Sequence, residues 1–205
     1  MAVKSNITGF LNTVKQGVRN NLFVVEFNFP SVMSSDAPRP ETLQMLCKAA
    51  AIPASNLGVI EVPFRGRTVK IAGDRTFDTW TVTIISDRNQ TLRHGFEKWI
   101  EGMNRHNANN ASTFVPDTSG TGYLQDLTVK QLERNAGEGD TDASVLRTYY
   151  FKGAFPTNIS QIDLAYDSND QIEDFTVEFQ YQYWSAEPGT GAQPPAGGGR
   201  IGVET

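Results

Sequence analysis

Few side chains in this protein could move a proton, hold a metal or attack a carbon. Two histidines and one cysteine occur in 205 residues. An acid–base imidazole needs a partner within reach, and a zinc site needs several N or S ligands. His94 lies on a segment of helical periodicity, away from its apolar stripe, and His106 follows in an Asn-rich run. Neither has an HExxH-type spacing, so both read as surface histidines. There is no GxSxG elbow, no GxxxxGKS/T loop and no GxGxxG run. The glycine-rich runs Gly120-Thr121-Gly122 and Gly197–Gly199 lack the strand-to-helix setting of a phosphate cradle. Asp167-Ser168-Asn169-Asp170 begins like a calcium loop but lacks the sharp-turn glycine and the distal bidentate Glu, so it reads as an Asx-type turn. The expectation is no catalytic residue, no metal and no cofactor.

The elements that could have positioned such groups are mostly strands. Phe23, Val25, Phe27 and Phe29 alternate with Leu22, Val24, Glu26 and Asn28, and Pro30 ends the run. In Lys70–Asp87, Trp80, Val82 and Ile84 fall on one face and Thr79, Thr81 and Thr83 on the other. That second face carries hydroxyls and no charge, which is unusual for a plain solvated surface. Gly73-Asp74 reads as a Gly-first hairpin turn, with a strand over Arg67–Ala72 before it. Further strands are expected near Leu124–Leu132 and Val145–Lys152, joined by a mobile acidic loop at Asn135–Ser144. In the last strand Phe175, Val177, Phe179, Tyr181 and Tyr183 oppose Asp174, Thr176, Glu178, Gln180 and Gln182.

Leu92, Phe96, Trp99, Ile100 and Met103 form an apolar helical stripe, with Asp87 and Gln90 at capping-box spacing. A flanking helix over about residues 88–103 follows. Ile7, Phe10, Leu11, Val14 and Val18 have helical spacing within residues 5–19. Such a short helix is marginal alone in water and must dock on something. Leu43–Pro53 is ambiguous between helix and strand, Ser31–Glu41 reads as a loop, and Ala54–Arg67 reads as a long extended loop. Residues 104–122 read as a polar loop.

The fold class is mainly β: a β-sandwich or barrel-like unit with one flanking helix and long loops. Residues 1–20 form an N-terminal arm, 21–184 the β domain, and 185–205 a Gly/Pro-rich tail expected to be flexible. A chain of this length buries roughly 70% of its unfolded surface and needs no disulfide to fold. Cys47 is read as a small core residue and fits a reducing compartment. The N-terminus has no signal-peptide h-region and no apolar run long enough to span a bilayer, so the Asn-x-Ser/Thr sequons are read as chance.

The net charge of −5 argues against a dedicated nucleic-acid binder. Asp163, Asp167, Asp170, Glu173, Asp174 and Glu178 occur with no Lys or Arg between them, while Arg65, Arg67, Lys70 and Arg75 form a basic cluster. These are either two solvated faces or complementary patches on a self-associating subunit.

A resemblance gives these pieces a common purpose. AGDRTFDTWTVTIISD (Ala72–Asp87), preceded by CKAAAIPAS (Cys47–Ser55) and VPFRGRTVKI (Val62–Ile71), resembles the tail-tube family of T4-like contractile-tailed bacteriophages. FKGAFPTNISQIDLAYDSNDQIEDFTVEFQYQYW (Phe151–Trp184) and NLFVVEFNF agree, in the same order over most of residues 20–184. The resemblance implies a non-enzymatic subunit of stacked hexameric rings, whose lumen passes DNA as transient cargo during ejection. It implies sheath, tape-measure, baseplate and tail-terminator partners, no stable membrane association, and a place in the virion after assembly in the host cytoplasm. The alternative is the inner tube of a related injection device of bacteriocin or secretion type; a carbohydrate-binding or hydrolytic sandwich is a third class. Under the tube reading, Thr79, Thr81, Thr83, Thr176, Glu178, Gln180 and Gln182 are lumen-lining candidates. Ile52, Pro53, Arg65, Arg67, Lys70, Asp74, Arg75, Asp163, Asp167 and Asp170 are candidates for contacts between subunits or rings. The loop Ser31–Glu41 and the tail Ser185–Thr205 look longer than the family pattern.

Overall fold

The computed structural model describes residues 7–14, 17–30, 33, 38–107, 116, 122–133, 145–167 and 169–188. Its elements in chain order are α1 (Ile7–Val14), β1 (Phe23–Glu26), α2 (Pro40–Leu46), β2 (Cys47–Ala50), β3 (Asn56–Phe64), β4 (Arg67–Thr76), β5 (Trp80–Ile85), α3 (Thr91–Met103), β6 (Gln125–Leu132), β7 (Val145–Ile159), β8 (Asp174–Gln180) and β9 (Tyr183–Pro188). The ambiguous run after Arg39 is both helix and strand. Pro40 opens α2 at the position where a missing N–H costs nothing, and the chain turns extended at Cys47. The loop read over Ser31–Glu41 therefore ends at Arg39; Met33 within it is buried, and most of its other residues lie outside the described set. The loop Asn135–Ser144 and most of 104–122 also lie outside it.

All the pairings are antiparallel. β1, β6, the first part of β7 and β9 make one sheet; β2, β5, β8 and the last part of β7 make the other. β7 runs past the expected end at Lys152 because it serves both sheets. The change of sheet falls at Gly153, whose φ of +60° suits glycine, and Asp126 Oδ1 accepts its N–H at 3.2 Å. The last strand is likewise split. β8 stops at Gln180, and the alternation fails at Tyr183, which is 44% exposed. β9 then carries residues 185–188 into the sheet with Ser185 and Ala186 buried, so the tail does not begin at Ser185.

The two sheets face each other across an aromatic core. Trp80 of β5 stacks on Phe151 of β7 with centroids 4.3 Å apart. α3 lies over one end, burying Leu92, Phe96 and Trp99. Phe96 meets Phe29 at 5.2 Å and Phe179 at 5.9 Å, and the Trp99 indole N–H donates to the Tyr123 carbonyl at 3.0 Å. The helix starts at Thr91, three residues later than expected, because Gln90 takes a left-handed φ of 53°. Asp87 still caps it, accepting the Leu92 N–H at 3.2 Å and the Thr91 hydroxyl at 2.9 Å. Burial alone would raise the Asp87 carboxyl, but these hydrogen bonds outweigh it and hold its pKa below the ordinary value.

Candidate functional site

The polar faces of β5 and β8 are one face. In register, Thr81 pairs with Glu178 and Thr83 with Thr176, while the alternate pairs Trp80–Phe179, Val82–Val177 and Ile84–Phe175 point into the core. The Gln180 amide donates to the Thr79 hydroxyl at 2.7 Å, which extends the same surface. Thr79 and Thr81 are exposed, and Thr83, Thr176, Glu178 and Gln180 are partly exposed. Ala49 on β2, opposite Thr83, and Asn158 on β7, opposite Glu178, continue it across the sheet. At its end Lys48 forms an ion pair with Asp174. Gln182 does not belong to this face. It lies in the step between β8 and β9 with its side chain over Gly153, because the strand breaks before reaching it.

The segment read as a loop over Ala54–Arg67 is instead one arm of a long hairpin. β2 and β3, on one side, and β4 and β5, on the other, are two halves of the same bent pair; the proximal halves sit in the sheet and the distal halves form a separate two-stranded ribbon. The turn is at Arg65-Gly66, with φ of 46° and 81°, and not at Gly73-Asp74. Both central residues have positive φ, the condition of a type I′ turn. Gly73 and Asp74 lie within β4 and form a bulge opposite Gly58, where backbones approach closely; a Cβ on Gly73 would come 3.1 Å from the Gly58 carbonyl carbon.

Pairing fixes the two faces of the ribbon. Ile60–Ile71, Val62–Val69 and Phe64–Arg67 share one face. Val59–Ala72, Glu61–Lys70 and Pro63–Thr68 share the other, with Lys70 3.4 Å from Glu61, and Leu57–Arg75 extends it beyond the bulge. Leu57, Ile60, Val62, Phe64, Val69 and Ile71 are all between 43% and 62% exposed. Arg65 lies over the Phe64 ring at 5.5 Å. Among the contact candidates, Arg65, Arg67, Lys70, Asp74 and Arg75 are therefore brought together on this ribbon, all exposed. Ile52 and Pro53 sit in the strap, residues 51–55, that leads into it. Asp163, Asp167 and Asp170 lie elsewhere, exposed in the 160–173 connection between β7 and β8, beside Leu164, Tyr166 and Ile172, which are 84%, 108% and 77% exposed.

Two indoles fix the root of the ribbon. The Trp80 N–H donates to the Ala51 carbonyl at 2.7 Å and the Trp184 N–H to the Ala54 carbonyl at 3.1 Å. On the returning side Asn56 donates to Asp78. Sequence reasoning missed these pins because a tryptophan on an apolar face reads simply as core; the hydrogen bond of its edge depends on tertiary placement. Cys47 is partly buried, and burial pushes its thiol up to about 11. Among the described residues no group of His, Cys, Asp and Glu could hold a metal ion, and no helix is long and apolar enough to cross a membrane. The apolar stripe of α1 is uncovered: Ile7, Phe10, Leu11 and Val14 are at least half exposed.

Residues 18–187 match the family model described as phage tail tube protein. The chain is 32% identical over 166 residues to tail tube protein gp19 of Enterobacteria phage T4, covering 81% of this chain and 90% of that protein. It is 28% identical over 181 residues to the tail tube protein of Serratia phage KSP90, covering 88% and 95%. Among solved structures it shares the fold of a chain in the anti-feeding prophage tube-terminating cap, with a TM-score of 0.58 at 16% identity, covering 92% of this chain and 99% of that one. A chain in the PVC sheath–tube complex of an extracellular contractile injection system gives 0.56 at 14% identity, covering 90% and 99%.

Proposed function

The chain belongs to the phage tail tube protein family, and from that premise we propose that it is the repeating subunit of the inner tube of a contractile phage tail. Its subunits close into hexameric rings, the rings stack, and the hollow stack passes DNA. Sheath, baseplate, tape-measure and terminator proteins are its partners, and the virion is its place. The role is structural: assembly and passage, not bond-making.

The observation that carries this reading is the continuous polar face of β5 and β8. Thr79, Thr81, Thr83, Thr176 and Gln180 present hydroxyls and an amide, Glu178 contributes the carboxylate, and the Lys48 ammonium is paired. DNA binds protein chiefly when Lys and Arg neutralise phosphates and release condensed counterions. A wall of hydroxyls and carboxylates supplies no such gain, so a phosphate backbone can slide past without arrest. We assign this face to the lumen. A plain solvated sheet face would carry mixed charge, and a lectin-like face would carry aromatics. The curated relatives with extensive sequence identity are phage proteins, whereas the likeness to injection-device chains is one of fold; this favours the phage tail over the related device.

Negative-stain electron microscopy of the purified chain tests the proposal. Rings or hollow tubes of uniform diameter are expected. A chain that stays monomeric at every concentration and salt tried would overturn it.

A further inference from the structure

We propose that the β3–β4 ribbon of one subunit docks on the Gln161–Glu173 connection of a second copy of this chain. The inference rests on the tube reading and names the surfaces that hold its subunits together.

The ribbon cannot be a finished surface. A two-stranded hairpin is marginal in water without a covered face. Here an uncharged ladder, Ile60–Ile71 and Val62–Val69, stands exposed with Phe64 beside it. Arginine marks the tip of this face: Arg67 pairs with Phe64 at the end of the ladder, and Arg65 lies next to it in the turn. The partner must therefore offer apolar groups against the ladder and negative charge against its tip.

The connection between β7 and β8 has that composition. Leu164, Tyr166 and Ile172 are largely exposed, and Asp163, Asp167 and Asp170 are interleaved with them, without a Lys or Arg in the segment. The charges are opposite, and in both surfaces they adjoin exposed apolar side chains. Complementary potentials of this kind steer association and fix register, while like charges in the same place are strongly unfavourable. The two surfaces lie on different parts of one chain, so their pairing between copies is heterologous. A heterologous contact propagates instead of closing on a dimer, as a ring or stack requires.

Charge exchange tests the contact. R65E/R67E and D163R/D167R are made separately and together, with circular dichroism and a thermal melt on each. Each separate variant is expected to fold as the parent does and to raise the critical concentration for tube formation about tenfold or more. The combined variant is expected to return most of the way. Separate variants that polymerise like the parent, or a combined variant no better than they are, overturn the contact. If charge exchange impairs folding, Arg67→Cys with Asp163→Cys on a Cys47→Ser background replaces it. A covalent ladder between chains after mild oxidation supports the contact; a bridge within single chains, or no bridge, overturns it. A parent chain that never polymerises overturns the tube reading itself, and this contact with it. Normal parent tubes alongside unaffected variants overturn the contact alone.

Discussion

Trp184→Phe should loosen the ribbon while leaving the domain folded. The indole N–H of Trp184 donates to the Ala54 carbonyl at 3.1 Å, and its ring lies 6.2 Å from that of Tyr149. Phenylalanine keeps an aromatic ring but has no N–H. A hydrogen bond of this kind contributes about 1 kcal/mol net. Ala54 is exposed, so water can replace the lost donor and the full penalty of a buried orphan does not apply. The smaller ring forfeits some packing, about another 1 kcal/mol. Against a total stability of about 5–15 kcal/mol the domain remains folded. Locally the loss is large, because 1 kcal/mol multiplies an opening equilibrium about fivefold.

Hydrogen exchange read by mass spectrometry separates the two scales. Peptides over residues 56–76 should exchange about fivefold faster, while those over β5 and β8 stay as they were. Trp80→Phe is the contrast. Trp80 is 2% exposed, stacks on Phe151 at 4.3 Å and donates to Ala51 at 2.7 Å. Its loss combines a core void with a broken part-buried bond, about 3 kcal/mol, and should speed exchange throughout the domain. Unchanged exchange over 56–76 in Trp184→Phe, or an increase spread evenly over all strands, would refute the idea that this indole pins the ribbon's root.

Two other perturbations probe the scaffold. Asp87→Ala should cost about 1 kcal/mol at neutral pH, because it removes the acceptor for the Leu92 N–H and the Thr91 hydroxyl. The folded carboxyl titrates below the ordinary aspartate value of 3.8, so its contribution is complete above that pH and is lost as pH falls through the lower folded value; denaturant melts of parent and variant should converge there. Cys47, pushed from 9.0 to about 11, should react with a maleimide or iodoacetamide near pH 8 on the order of 100-fold more slowly than an exposed thiol, and regain ordinary reactivity in denaturant.

How much of this was legible in the chain depends on whether a residue's role is local. The alternation in Trp80–Ile85 and Asp174–Gln180 fixes both faces of those strands, since a period of two has one solution. That these two polar faces form one surface is a matter of pairing, and no residue in either strand encodes its partner. The ribbon was misread for a different reason. Its hydrophobic residues lie on an exposed face, so their alternation among Pro63, Glu61 and two glycines looks like noise in a segment expected to bury something. The turn at Arg65-Gly66 lacks the Asn or Asp that usually marks a type I′ hairpin, whereas Gly73-Asp74 carries the Gly-first dipeptide of a type II′ turn but forms a bulge. The end of the domain was drawn at Trp184 because a Gly/Pro-rich composition begins just beyond. Ser185 and Ala186 are buried through the ladder with Tyr150 and Tyr149, which composition cannot register.

The distribution of apolar surface separates what folds this domain from what it is built to do. Phe27, Trp80, Phe96, Trp99, Phe151, Phe175 and Phe179 interlock two sheets and a helix, and this core is complete within one chain. The ribbon and α1 contribute almost nothing to it. They are nonetheless rich in Ile, Val, Leu and Phe, and at roughly 25 cal/mol per Å² each such side chain left in water is a favourable term not yet collected. Edge strands are normally kept short or charged to prevent pairing with other chains. Here a long ribbon is apolar on one face, with arginine only at its tip, which is the kind of exposed surface that other chains can cover. A monomer of this kind is complete as a fold and incomplete as a surface. The polar face of β5 and β8 is the converse: uncharged over most of its area and free of large apolar groups. Surfaces that demand neighbours and a surface that refuses ligands are what a subunit needs if it is to build a wall and leave the passage clear.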